Sequence, residues 1–225
     1  VLLNLDAGEH DDEPEALWAL FDVLHVACGG HAGGDASMNR VAAFIAAHPR
    51  MRLGAHPSYP DRENFGRVSI AIDPAVLSLQ LVEQLARLAA IARAHDLPVV
   101  SVKPHGALYH DANRNPALAR LLVDAVRATL GPDITIVGPP SGELHTAATD
   151  AGMHYLREGF ADRARRPDGS LVPRTEPNAL ILDPTAAAAQ ALSLAAAGGI
   201  DTLCIHADTP SSLAIARAVR EAIHA

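Results

Sequence analysis

Short apolar runs that recur at near-even intervals, each followed by a longer amphipathic stretch, constrain this chain more than any other feature. The runs fall at residues 1–5, 23–28, 51–55, 99–102, 134–137, 153–156 and 202–206. Most are continuous rather than alternating, as expected of strands covered on both faces. Between them, acidic residues precede an amphipathic stretch at residues 14–21, and residues 37–47 put Val41, Phe44 and Ile45 on one helical face. Asp73-Pro74 opens a long helix to Ala94, and Asn115-Pro116, Asp183-Pro184 and Thr209-Pro210 repeat the device. A side-chain acceptor at the N-cap followed by proline at the first helical position is a helix start with a physical reason. Seven such repeats in 225 residues give about 32 residues each, the size of a βα unit.

An alternating pattern of this kind predicts an α/β fold, either an open sheet or a closed barrel. The polar residues favour closure. Asp6 and Glu9, His31, His56, Lys103 and His105, Glu158 and Asp162, and His206 and Asp208 all fall just after strand runs. In a parallel barrel these positions converge on one mouth, where active sites lie. The expected architecture is a seven-stranded (β/α) barrel forming a single domain over residues 1–225. No linker or shift in composition divides it. The one long irregular stretch, residues 158–178, carries an Asp168-Gly169 turn signal and has the length of a functional loop.

Composition removes several classes of function. A net charge of -8 and a pI near 5.8 lack the basic footprint of a nucleic-acid binder. A hydrophobic share of 49% with 20% charged residues describes a folded chain. The most apolar tract, residues 186–200, is short and broken by Gly198-Gly199, which argues against a membrane span. The first residues lack the basic region of a signal peptide. Cys28 and Cys204 sit in apolar runs, as buried reduced thiols of a cytoplasmic protein would. Of the 18 basic residues, Lys103 is the only lysine, whereas there are 12 histidines. A chain that uses arginine everywhere else keeps lysine here because arginine does not replace it in proton transfer or a tight pocket.

The strand ends carry the candidate chemistry. Alternation points Asn4 and Asp6 into the barrel, where a carboxylate is costly unless it serves a metal, a proton transfer or a partner. The glycine-rich loop after the second run presents His31 but has no Gly-Lys-Ser/Thr, so it is not a phosphate loop of the Walker type. His56 precedes a proline, which holds it extended. Asp6, His31 and His56 together form a candidate divalent-metal set. Arg67, Arg163 and Arg174 are candidate anion clamps; Arg67 is equally compatible with a solvated loop arginine, and the neighbouring Arg165 and Arg166 read as solvated loop residues. Thr209 reads as an N-cap.

The motifs Asn4-x-Asp6-x-Gly8-Glu9, Cys28-Gly-x-His31-Ala-Gly, Gly54-Ala-His56-Pro-x-Tyr59-Pro-Asp61 and Phe65-Gly-Arg67 occur in order along the chain. Lys103-Pro-His105-Gly-Ala-Leu-Tyr109, Phe160-Ala-Asp162-Arg163, Leu171-Val-Pro-Arg174 and Cys204-x-His206-x-Asp208-Thr-Pro follow. Together they resemble the LamB/YcsF family, the A component of 5-oxoprolinase. The chain departs from that family's pattern at His10-Asp11-Asp12, Gly30, Gly34 and Ala207, all near the expected mouth. The resemblance implies a barrel like that of glycoside hydrolases and deacetylases. It also implies ATP-dependent opening of 5-oxo-L-proline to L-glutamate, with ATP and magnesium as co-substrate and with partner subunits B and C. On that reading Asp6 or His105 is the general base, Lys103 and His56 are electrostatic stabilisers, and Arg163 or Arg174 clamps the substrate carboxylate. Asn4, Glu9, Arg67, Asp162, His206 and Asp208 complete the substrate-binding set. The alternatives are a metal-dependent deacetylase or amidohydrolase acting alone, and a non-catalytic substrate-binding subunit.

Overall fold

A computed structural model describes residues 1–166 and 170–224, so the expected Asp168-Gly169 turn lies outside the described residues. Seven strands run β1 (Leu2–Ala7), β2 (Val23–Ala27), β3 (Arg52–His56), β4 (Val99–Val102), β5 (Thr135–Gly138), β6 (Tyr155–Phe160) and β7 (Thr202–His206). All neighbours pair in parallel, and β1 also pairs with β7, so the sheet closes into a barrel. The outer layer is α1 (Glu15–Trp18), α2 (Asp35–Ala46), α3 (Pro74–Ala94), α4 (Gly106–Arg114), α5 (Pro116–Leu130), α6 (Glu143–Asp150), α7 (Pro184–Ala197) and α8 (Ser212–His224).

The apolar core lies between strands and helices. On β1, Leu3 and Leu5 face outward into it, alongside Trp18, Met38, Leu81 and Leu85. At 21 residues α3 is the one described helix long and apolar enough to cross a membrane, and here it lays Leu77, Leu81, Leu85 and Leu88 on the barrel. Its N-cap Asp73 accepts from the Ala75 and Val76 amides, as Asn115 does for Ala117 and Leu118 and Asp183 does for Ala186.

The inside of the barrel is polar. Asn4 donates to the Thr202 hydroxyl at 2.8 Å, and the His25 and Ser101 side chains meet at 3.0 Å across Gly54. A Cβ at Gly54 would collide with the His25 ring, so only glycine lets that pair form. Burial drives the His25 pKa well below its usual range, so the ring is a neutral hydrogen-bonding spacer.

Two local expectations need correction, and one further helix start is dictated by a close backbone approach. The sixth strand begins two residues after the start of the expected run and extends through Arg157 and Glu158 to Phe160, because Glu158 points into the barrel at a lysine. The helix α4 starts immediately at Gly106, which adopts a φ of 54° so that its backbone can pass Gly66. The last helix begins at Ser212 rather than at Thr209-Pro210, because the Thr209 hydroxyl donates to Asp162 at 2.6 Å instead of capping.

Candidate functional site

A cavity of about 610 Å³ opens at the carboxyl ends of the strands. Its lining includes Asp6, Glu9, His56, Lys103, His105, Tyr109, Glu158, Phe160, Arg67, Arg163, Arg174 and His206. This is the convergence that parallel closure enforces on residues following each strand.

Lys103 forms one half of the floor. Its ammonium lies 2.8 Å from Asp6 Oδ1 and 2.9 Å from Glu158 Oε1, and donates to Asn4 Oδ1 at 3.2 Å and Cys204 Sγ at 3.1 Å. It is 2% exposed. Burial alone would push the lysine pKa down, but Asp6 and Glu158 outweigh it and hold the ammonium well above the usual range. Burial raises the Glu158 pKa, opposed by Lys103 and aided by the negative charge of Asp6. Glu158 Oε2 and the Tyr109 hydroxyl are both buried, and the Glu158 side chain is the hydrogen-bonding neighbour of the Tyr109 phenol. Burial lifts the Tyr109 phenol well above its usual range, so it stays a donor.

The other half is an imidazole cluster. Glu9 Oε1 is 2.8 Å from His31 Nε2, 3.1 Å from His105 Nδ1 and 3.7 Å from His56 Nε2. His56 Nε2 and His105 Nδ1 are 2.9 Å apart, and Asp6 Oδ2 lies 3.4 Å from His56 Nε2. Burial raises the Glu9 pKa, but its hydrogen bonds to His105 and His31 prevail and hold it well below the usual carboxylate range. Burial lowers His31 to about 4 and drives His56 well below its normal value, the latter with help from His105 and Lys103. The β1–α1 turn that presents Glu9 is tied down by Glu13, which accepts the amides of Gly8, Glu9 and His10 and the Trp18 indole.

The metal-ligand grouping differs from the expected one. His31 and His56 assemble with Glu9 and His105, whereas Asp6 is committed to Lys103 and groups with Cys204 and His206. The ligand atoms of each group lie within 4.8 Å of one another.

The rim carries the arginines. Arg174 donates to both Asp208 oxygens at 3.1 and 2.9 Å, and Arg67 donates to Asp208 Oδ2 at 2.6 Å while lying over the Phe65 ring. Arg163 is spent differently, donating to the Val172 and Ala179 carbonyls and so bracing the loop. Asp162 accepts from the His206 amide, the His206 ring and Thr209. Burial opposes its ionisation, but His206 and Thr209 prevail and hold Asp162 at about 2. Thus Asp162 positions the end of β7 rather than facing the cavity.

The sequence places Glu158 among the polar residues of the barrel mouth without giving it a chemical role, and gives none to Tyr109, Cys204 or Glu13. For Tyr109 there is a signal, since it follows His105 by four residues, one helical turn. Glu158 shows its role only once β6 is placed opposite Lys103.

The profile of the LamB/YcsF family matches residues 2–225. Among solved structures, a lactam utilization protein from Thermus thermophilus is similar, with 35% identity and a TM-score of 0.90. The match covers 100% of this chain and 96% of that one. With the family profile spanning nearly every residue and the expected strand-end motifs gathered at one barrel mouth, the chain belongs to the LamB/YcsF family.

Proposed function

We propose that the chain opens a lactam ring, and that it does so as the A component of an ATP-dependent 5-oxoprolinase together with subunits B and C. The observation that carries the reading is the buried Lys103–Asp6–Glu158 group on the floor of a cavity sized for a small molecule, in a chain similar to a lactam utilization protein.

A five-membered lactam is a planar amide and a poor electrophile. Hydrolysis adds water oxygen to the carbonyl carbon, breaks the ring C–N bond and protonates the leaving nitrogen. ATP, with magnesium, supplies drive if its terminal phosphoryl group goes to the amide oxygen. ADP leaves in that transfer, attack by one water with C–N cleavage leaves the γ-glutamyl phosphate, and a second water releases phosphate and glutamate. The Gly-rich loop lacks a phosphate-binding lysine, which favours a nucleotide site on a partner subunit.

In this scheme Asp6 takes the proton from the attacking water, and the Lys103 ammonium stabilises the negative charge that builds at the phosphorylated amide oxygen. A lactam is a cis amide whose N–H and C=O share one edge. Glu158 Oε2 offers an acceptor and Tyr109 a donor for that edge, and both line the cavity. Arg174 and Arg67, held in place by Asp208, receive the substrate carboxylate. Lys103→Arg in the assembled complex tests the scheme. Loss of one oxyanion donor lowers kcat by about 10²–10³-fold, and turnover close to wild type would contradict the assignment.

A further inference from the structure

The tautomers of two cavity histidines are fixed by backbone carbonyls. His56 Nδ1 lies 2.7 Å from the Lys103 carbonyl and His105 Nε2 lies 2.9 Å from the Phe65 carbonyl. A carbonyl only accepts, so each of these nitrogens carries the proton. The remaining nitrogens, His56 Nε2 and His105 Nδ1, are then bare in the neutral rings, and they face each other at 2.9 Å with Glu9 Oε1 3.7 and 3.1 Å away. Two lone pairs and a carboxylate oxygen at such distances require a positive centre among them.

Four observations favour a metal ion over a shared proton. Tetrahedral ligands at about 2.1 Å from a zinc ion stand about 3.4 Å apart, and the three separations of 2.9, 3.1 and 3.7 Å bracket that value. Each histidine already has the outer hydrogen bond that metal-bound imidazoles use to fix their orientation. The Phe65 carbonyl is aimed at His105 by a left-handed backbone, φ 54°, which a phenylalanine adopts only under constraint. The charge of the floor also favours a cation, because Asp6 and Glu9 face a single ammonium even with Glu158 protonated.

We propose that Glu9, His56 and His105 form a site for one first-row divalent cation, facing the cavity. His31 is a supporting partner. It holds Glu9 at 2.8 Å, stacks on His105 with ring centroids 3.5 Å apart, and is absent from the cavity lining. Glu9, His56 and His105 all line the cavity, so an ion held by them would be reachable by water or substrate, as at a catalytic rather than a structural site. The competing trio of Asp6, Cys204 and His206 is disfavoured, because the Lys103 ammonium sits 2.8 Å from Asp6 and 3.1 Å from Cys204 and repels a second cation.

The inference does not rest on the lactam reading, and its test uses binding alone. The chain is stripped with chelator and titrated with Zn²⁺ and Co²⁺, following metal content, Co²⁺ visible absorption and thermal stability. One ion per chain with visible cobalt bands is expected. Glu9→Gln and His105→Ala should each weaken binding by at least about a hundredfold, beyond what loss of a supporting partner costs. His31→Gln should cost about 10–100-fold, and Cys204→Ser should leave binding unchanged. Circular dichroism confirms that each variant folds. No stoichiometric uptake by the wild-type chain assigns the cluster to a shared proton and overturns the proposal. So does uptake that survives Glu9→Gln and His105→Ala but is lost in Cys204→Ser.

Discussion

Replacing Lys103 by methionine removes one charge from a floor that has no other ammonium. The methionine fills the channel but leaves Asp6 and Glu158, 4% and 2% exposed, facing each other without a counter-charge. Breaking a buried ion pair by deleting one partner costs about 3–5 kcal/mol. A domain of this size loses about 2–4 °C of Tm per kcal/mol, so the expected loss at pH 8 is roughly 6–20 °C. The pH dependence gives the sharper test. Burial already raises the Glu158 pKa above 4.5, and Lys103 is what opposes that rise. Without Lys103 the folded state binds a proton more tightly still. Stability from a raised carboxyl is fully present below its unfolded pKa and lost as pH rises through the folded one. The deficit of Lys103→Met should therefore be smallest near pH 4.5 and grow toward pH 8. Urea denaturation of wild type and variant across that range measures it. A deficit that is constant with pH, or largest in acid, would refute the reasoning that Lys103 neutralises Glu158.

Three other outcomes follow from the geometry. Asp162 is fully buried and held at about 2 against an ordinary 3.8, a difference of about 2 kcal/mol. Because its folded pKa is depressed, that stability is present above pH 3.8 and lost as pH falls toward 2; acid titration of Asp162→Asn should lack this component. Glu13→Gln turns an acceptor of four N–H groups into a mixed donor, and should cost about 1–3 kcal/mol by thermal denaturation while loosening Glu9. Gly54→Ala places a methyl against the His25 ring and should cost about 1–3 kcal/mol through overpacking. A neutral result would mean that the barrel interior is looser than its hydrogen bonds imply.

The fold was legible because barrel closure imposes apolar runs on strands and caps on helices, and both are local. Asp73, Asn115 and Asp183 announce their helices in the sequence and cap them in the structure. Legibility failed where a polar residue served a distant partner. Glu158 reads as a polar residue just after an apolar run, yet it lies inside β6 because Lys103 on another strand end neutralises it. Thr209 reads as a cap, yet Asp162, 47 residues away, takes its hydroxyl. The same holds within the site. Asp6, His31 and His56 look like a ligand set on strand ends, but the choice between Asp6 and Glu9 depends on where the Lys103 ammonium falls in three dimensions. Arg163 reads as an anion clamp; it lines the cavity while donating to backbone carbonyls of its own loop.

The central claim, that this barrel mouth opens a lactam, is tested most directly by glutamate release from 5-oxo-L-proline. Subunits B and C, ATP and magnesium are assayed with the wild-type chain, with Lys103→Met, and without the chain. The account predicts glutamate and phosphate in equal amounts with the wild-type chain, and no glutamate above background with the variant or with the chain omitted. Glutamate release at an undiminished rate without the chain, or with Lys103→Met, would contradict it.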